Sequence, residues 1–160
     1  MSLPVIFLAV ELTILRKLCV SSRSITSLIF VSTVKPGLDR DDYLAIMSIT
    51  QRNNKRFGLT GLLLSNGFNF MQCLEGDRAA VRDRIYYIGQ DDRHSGVTIL
   101  DHRESESRQF SQHYIAGRYF PGAHNCAQPE LSKILDEISV SELTRTLFRS
   151  FGSLGLQLSA

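Results

Sequence analysis

Short apolar runs alternate with amphipathic stretches of helical period along this chain, and that alternation sets its elements. Residues 27–32, SLIFVS, form an apolar run bounded by serines and predict a buried strand. Pro36-Gly37 predicts a turn. Asp39 or Asp41 can cap the helix that follows, where Leu44, Met47 and Gln51 share a face with Tyr43, Ile46 and Thr50 beside them. Two apolar runs, 59–64 and 68–74, flank Asn66-Gly67, a dipeptide that tolerates the positive φ angles of a two-residue hairpin turn. Val81, Ile85 and Ile88, at i, i+4 and i+7, predict a second helix over 78–89. Residues 97–102 and 114–120 predict two more strands, joined by the polar stretch 103–109. Beyond a linker at 121–129, Leu131, Ile134, Leu135 and Ile138, and then Leu143, Leu147 and Phe151, fall at helical spacing.

The resulting order is β-α-β-β-α-β-β. It resembles a ferredoxin-like sandwich of the α+β class: a five-stranded mixed sheet with two helices on one face and the C-terminal helices on the other. Three regions are expected: an N-terminal extension over 1–26, the sandwich over 27–120, and a helical cap over 121–160. Residues 4–10 are apolar, but Glu11 interrupts them and Arg16-Lys17 follow rather than precede them. A secretory signal wants its positive charge first, and a membrane span wants about 20 apolar residues. The extension is therefore expected to be an amphipathic helix or the product of a start codon assigned too far upstream.

Composition narrows the function classes. With 160 residues, 43% hydrophobic and 21% charged, the chain can bury one ordinary core. The net charge is +2, and Lys and Arg are interleaved with Asp and Glu instead of forming a basic stripe, so no nucleic-acid partner and no membrane partner are expected. Cys19, Cys73 and Cys126 are odd in number and widely spaced, which argues against a disulfide framework and fits a cytoplasmic location. No nucleophile–base pair is convincingly placed: Cys73 lies mid-strand, and His102, His113, His124 and Cys126 lack metal-ligand spacing. Arg93, His94 and the asparagines are the sole motive for a hydrolase on this frame, so neither enzyme activity nor a metal is expected.

Amides are the chemistry that stands out. Asn53 and Asn54 precede the hairpin and Gln72 lies inside its second strand. Each offers a donor and an acceptor, as a flat heteroaromatic ligand with both along its edge would require. The asparagines could also simply end the first helix, since Asn tolerates left-handed φ. Gln72 on an apolar strand is harder to explain that way, because a buried amide without partners costs on the order of 1–3 kcal/mol. Arg93-His94 could be a solvated loop, Glu75-Gly76 the end of a strand, and Cys73 a small core residue pointing away from Gln72.

Four segments in order resemble the BLUF family, sensors of blue light using flavin: SLIFVS at 27–32, QRNNKRFGLTGLL at 51–63, FNFMQCLEG at 68–76 and DDRH at 91–94. The spacings also agree, with 24 positions from Phe30 to Asn54 and 18 from Asn54 to Gln72. The resemblance implies FAD, with FMN or riboflavin as alternatives, held between the two helices with its ring edge toward the sheet. It implies that Asn54 hydrogen-bonds the ring's carbonyl and N–H edge with Asn53 close by, and that Gln72 sits beside the N5 and O4 edge. Ile46, Thr50 and Ile88 would contact the ring. Arg93 and His94 would lie toward the ribityl side, where a guanidinium can grip oxygens bidentately.

The chain departs from the family pattern at Phe30, where the family places an electron-donating tyrosine. Phenylalanine has no hydroxyl proton to give and no hydrogen bond with which to orient Gln72. The family's last strand usually carries a Trp or Met, whereas the aligned stretch here reads His113-Tyr114-Ile115 and the chain contains no Trp. Tyr114 and Tyr43 are candidate substitutes for the donor. The expected function is a blue-light photoreceptor domain that signals through protein contacts, with a homo-oligomer and a separate response protein as partners. The alternative is a degenerate module without a normal photocycle, acting as a flavin-binding or interaction scaffold.

Overall fold

The computed structural model describes residues 24–111, 116–119 and 127–154. Its elements are β1 (Ile25–Val34), α1 (Arg40–Phe57), β2 (Thr60–Ser65), β3 (Asn69–Gly76), α2 (Arg78–Gly89), β4 (His94–Ser105), β5 (Ala116–Tyr119), α3 (Ala127–Glu137) and α4 (Glu142–Leu154). The sheet order is β4-β1-β3-β2-β5, antiparallel through its first four strands, with β5 added parallel to β2. The expected α+β, ferredoxin-like architecture with a mixed five-stranded sheet is the one found.

Period-two alternation divides the strands between two cores. Leu28, Phe30, Leu63, Phe70 and Leu74 point toward α1 and α2 and pack with Tyr43, Ile46 and Val81. Ile29, Leu62, Leu64, Met71 and Cys73 point the other way and meet Phe110, Leu131, Leu135, Phe148 and Phe151. Cys73 thus faces away from Gln72, and burial pushes its thiol well above the usual range.

Local chemistry fixes the ends of α1. Asp39 Oδ1 accepts from the backbone N–H groups of Asp41 (2.8 Å) and Asp42 (3.0 Å), and the Asp42 carboxylate accepts from the Asp39 N–H, closing a capping box. Gly58, at φ 63°, takes the left-handed position that ends the helix. The hairpin tip differs from the expected turn. Asn66 has no positive φ; Gly67, at φ 88°, supplies it, and Asn66 Oδ1 instead accepts from the N–H groups of Phe68 (3.0 Å) and Asn69 (2.8 Å). The asparagine acts through its side chain, and the tip shifts one residue onward.

Three other boundaries move. β1 begins two residues before Ser27, and β4 begins at His94 and runs to Ser105, because the two strands pair along nearly their whole length, from Val34 opposite His94 to Ile25 opposite Ser105. β4 is the sheet's edge, which is why its sequence is polar enough to mask its extent. The inward stripe of α4 is Thr144, Phe148 and Phe151 with Leu147 at its margin, while Leu143 is 47% exposed. Ser141 sets this phase: its Oγ accepts from the Thr144 N–H (3.2 Å), and Arg103 donates to the Thr144 hydroxyl (2.6 Å). His113-Tyr114-Ile115 and residues 1–23 lie outside the described residues.

A cleft between the paired helices and the sheet

β1, β3 and β2 place Phe30, Gln72 and Leu63 side by side, since Gln72 is registered opposite Phe30 on one side and Leu63 on the other. Period two then puts Ser32 and Phe70 on the same face. Helix α1 faces this row with Ile46, Ile49, Thr50 and Asn53, and α2 faces it with Arg84, Tyr87 and Ile88. Asp91, Arg93 and His94 complete the lining. Together they line a cleft whose space, counting its open mouth, is about 600 Å³.

The cleft's polar atoms are incompletely paired. Ser32 Oγ, Gln72 Nε2, Arg84 Nε and His94 Nδ1 are buried without a hydrogen-bond partner, and all four residues belong to the lining. Gln72 itself is only 4% exposed. Each such atom costs roughly 1–3 kcal/mol unless something accepts or donates to it.

Charge is arranged unevenly. Arg93 Nε donates to both Asp91 oxygens (2.8 and 3.1 Å), its Nη2 donates to Asp91 Oδ2, and the Asp91 carboxylate also accepts from the Arg93 N–H (3.0 Å). The guanidinium therefore holds the Asp91 carboxyl below its ordinary range. Burial lowers the His94 imidazole below its ordinary value, favouring the neutral ring, which meets Phe70 edge-on at 5.9 Å between centroids.

Of the residues singled out in the sequence, Phe30, Ile46, Thr50, Asn53, Gln72, Ile88, Arg93 and His94 meet on this lining. Asn54 is not on the lining; it is fully buried in the last turn of α1, where its backbone carbonyl accepts from the Leu59 N–H (2.8 Å). Arg93 departs from expectation in one respect: its bidentate grip is taken by Asp91. Tyr43, a candidate donor, is buried outside the lining and donates its hydroxyl to the Leu63 carbonyl at 3.2 Å. Tyr114 lies outside the described residues.

Sequence reasoning missed Ser32, Phe70, Arg84, Tyr87 and Asp91. The signals were present: Ser32 and Phe70 stand two residues from Phe30 and Gln72, and Arg84, Tyr87, Ile88 and Asp91 repeat at i, i+3, i+4 and i+7. It also underrated Glu75. That side chain is fully buried, accepts from the Phe110 N–H (2.9 Å) and from Gln109 Nε2 (3.2 Å), and so ties the end of β3 to the loop after β4.

Comparison with known proteins gives this geometry a lineage. Residues 25–116 match the family described as BLUF, sensors of blue-light using FAD. The β subunit of the photoactivated adenylate cyclase of Euglena gracilis is 36% identical over 77 residues, 48% of this chain and 9% of the relative. The blue light- and temperature-regulated antirepressor BluF of Escherichia coli is 32% identical over 88 residues, 55% of this chain and 22% of the relative. The chain thus spans under a quarter of the length of either. The dark-state structure of the BLUF protein BlrB superposes with a TM-score of 0.62 at 25% identity, covering 83% of this chain and 98% of that one. On a family match spanning more than half its length, the chain belongs to the BLUF family, sensors of blue light that use flavin.

Proposed function

We propose that the cleft binds FAD and that the domain senses blue light, passing its signal on by protein contact. The observation that carries this reading is the set of four unpartnered buried polar atoms gathered on one lining. A planar heteroaromatic with carbonyl and nitrogen groups along its edge suits the amide of Gln72 and the hydroxyl of Ser32, with Asn53 supplying a further amide from α1 and Asn54 buried next to it in the chain. Ile46, Thr50 and Ile88 would pack against its faces and exclude water, and Arg93 and His94 would stand near its polar chain. Bound flavin would supply the absorption of blue light and the electron-accepting power of its excited state.

Phe30 sets the terms of the chemistry. It is 2% exposed, lines the cleft and lies directly across from Gln72. It can pack against a ring and fix the Gln72 backbone, but it can neither donate a proton nor hold the amide's orientation by hydrogen bond. This favours a second reading, a flavin-binding interaction scaffold without a normal photocycle.

Output through the C-terminal helices has a physical route. Three residues beyond Gln72, Glu75 holds Gln109, whose Oε1 accepts from the Ser141 N–H (2.5 Å) at the start of α4. A change in β3 would therefore reach α4 through two hydrogen-bonded side chains. A homo-oligomer and a separate response protein in the cytoplasm complete the proposal. Among the described residues, no helix is long and apolar enough to cross a membrane.

One absorption spectrum, taken before and after blue illumination, tests it. Yellow protein whose band moves slightly to the red and recovers in darkness supports a photoreceptor. A yellow protein with an unchanging spectrum supports the scaffold, and Phe30→Tyr should then restore the shift. Colourless protein that takes up no flavin on reconstitution removes both readings.

A further inference from the structure

Two arginines line the cleft, and only one has a carboxylate. Arg93 is neutralised by Asp91, whereas no carboxylate among the described residues pairs with Arg84. Arg84 lies on the inward face of α2 with its Nε buried and without a hydrogen-bond partner, and its guanidinium rests over the Phe57 ring at 5.5 Å. Burial of this cation is unfavourable enough to lower its proton affinity. With Asp91 cancelling Arg93 and His94 held toward its neutral form, the cleft carries one uncompensated positive charge, and Arg84 bears it. A partly buried guanidinium in that position is worth most when it meets a planar or tetrahedral oxyanion, which its fork of donors can grip.

We propose that Arg84 is an anion subsite of the cleft, taking the phosphate of a phosphorylated flavin and discriminating against the uncharged riboflavin. The Phe57 ring lies 5.5 Å from the Arg84 guanidinium carbon, so the subsite is a cation on the cleft lining with an aromatic ring beside it. The inference rests on the flavin reading and adds to it which flavins are preferred and by which residue.

Equilibrium titration of flavin-free protein with riboflavin, FMN and FAD tests it at low and at high salt. The unaltered chain should bind FMN and FAD at least about tenfold more tightly than riboflavin, the worth of one charge-assisted hydrogen bond. That preference should shrink as salt rises. Arg84→Gln should abolish the preference, bringing FMN and FAD down to the affinity that the same variant has for riboflavin, and Arg84→Lys should keep part of it. Circular dichroism of both variants establishes that they fold; if Arg84→Gln does not, loss of the preference at high salt and its partial retention in Arg84→Lys decide. Equal affinity for riboflavin and FMN, or a preference that survives in Arg84→Gln, overturns the subsite and leaves the flavin cleft standing. Failure of all three flavins to bind overturns the flavin reading, and the subsite falls with it.

Discussion

The two faces of this sheet are made from the same alternating strands, yet they treat buried polar groups in opposite ways. On the α3–α4 face, the fully buried Glu75 accepts from Phe110 and Gln109, Gln109 accepts from Ser141, Arg103 reaches Thr144, and Asp101 Oδ2, which lacks a hydrogen bond, is held in an ion pair 3.3 Å from Arg103 Nε. Around that network Phe110, Phe148, Leu131 and Leu135 are 0% exposed. On the α1–α2 face, Ser32, Gln72, Arg84 and His94 hold buried atoms that nothing satisfies. A face closed for stability pairs its polar groups internally; a face kept for a ligand leaves them for the ligand to pair. The contrast locates the site without reference to any relative.

Breaking the closed face should cost most. Phe148→Ala removes a ring at the centre of the α3–α4 core and should lower stability by about 3–5 kcal/mol, out of a total of roughly 5–15 kcal/mol for a domain of this size. Chemical denaturation measures this directly, and a loss below about 1 kcal/mol would mean the helices do not cover the sheet in solution. Glu75→Ala comes next. It leaves the buried Phe110 N–H without an acceptor, a penalty of roughly 1–3 kcal/mol. Amide exchange at Phe110 should speed up more than exchange at Cys73 in the strand interior; uniform acceleration would show that Glu75 is not a local tie.

Gln72→Leu should do the reverse on the open face. The substitution removes an amide with an unpartnered nitrogen and keeps its approximate volume, so flavin-free stability should change by less than about 1.5 kcal/mol or rise. Flavin affinity should fall at least about tenfold. A stability loss of several kcal/mol with unchanged affinity would place the amide in the structural network and not at a ligand.

How much of this was legible follows from which physical rule governs each part. The element order was readable because period two and period 3.6 dominate β1, β3, α1 and α2, whose apolar positions pack into the cores on either side of the sheet. Ends were less readable where a side chain decides them: Asn66 bends the hairpin through its carboxamide, and Ser141 rephases α4 so that Thr144 and not Leu143 turns inward. In the site, Gln72 was conspicuous because an amide contradicts its apolar strand. Arg84 was not, because an arginine on a helix is ordinary until the fold buries its Nε. Glu75 looked idle for the same reason: its partners Gln109 and Phe110 lie 34 and 35 residues away.

The smallest effect separates the faces by pH. Burial lowers the His94 proton affinity from its ordinary 6.5, with Asp91 opposing and Arg93 assisting. The folded state therefore favours the neutral ring, and the unfolded chain takes up a proton first as the medium is acidified. The resulting stability is fully present above pH 6.5 and is lost as pH falls from there through the lower folded value. Asp91 adds a second stage: its carboxyl is held below the ordinary 3.8 chiefly by the Arg93 hydrogen bonds, so its contribution persists above that value and disappears as pH falls through the depressed one. The flavin-free protein should show a melting temperature that declines in these two windows. His94→Gln should flatten the first and leave the second, and Arg93→Gln should reduce the second, to which Glu104, its carboxyl also held low by the Thr26 hydrogen bond, contributes as well. A first step that survives in His94→Gln would place the titrating group elsewhere, and the cleft would lose its claim to be the pH-sensitive face.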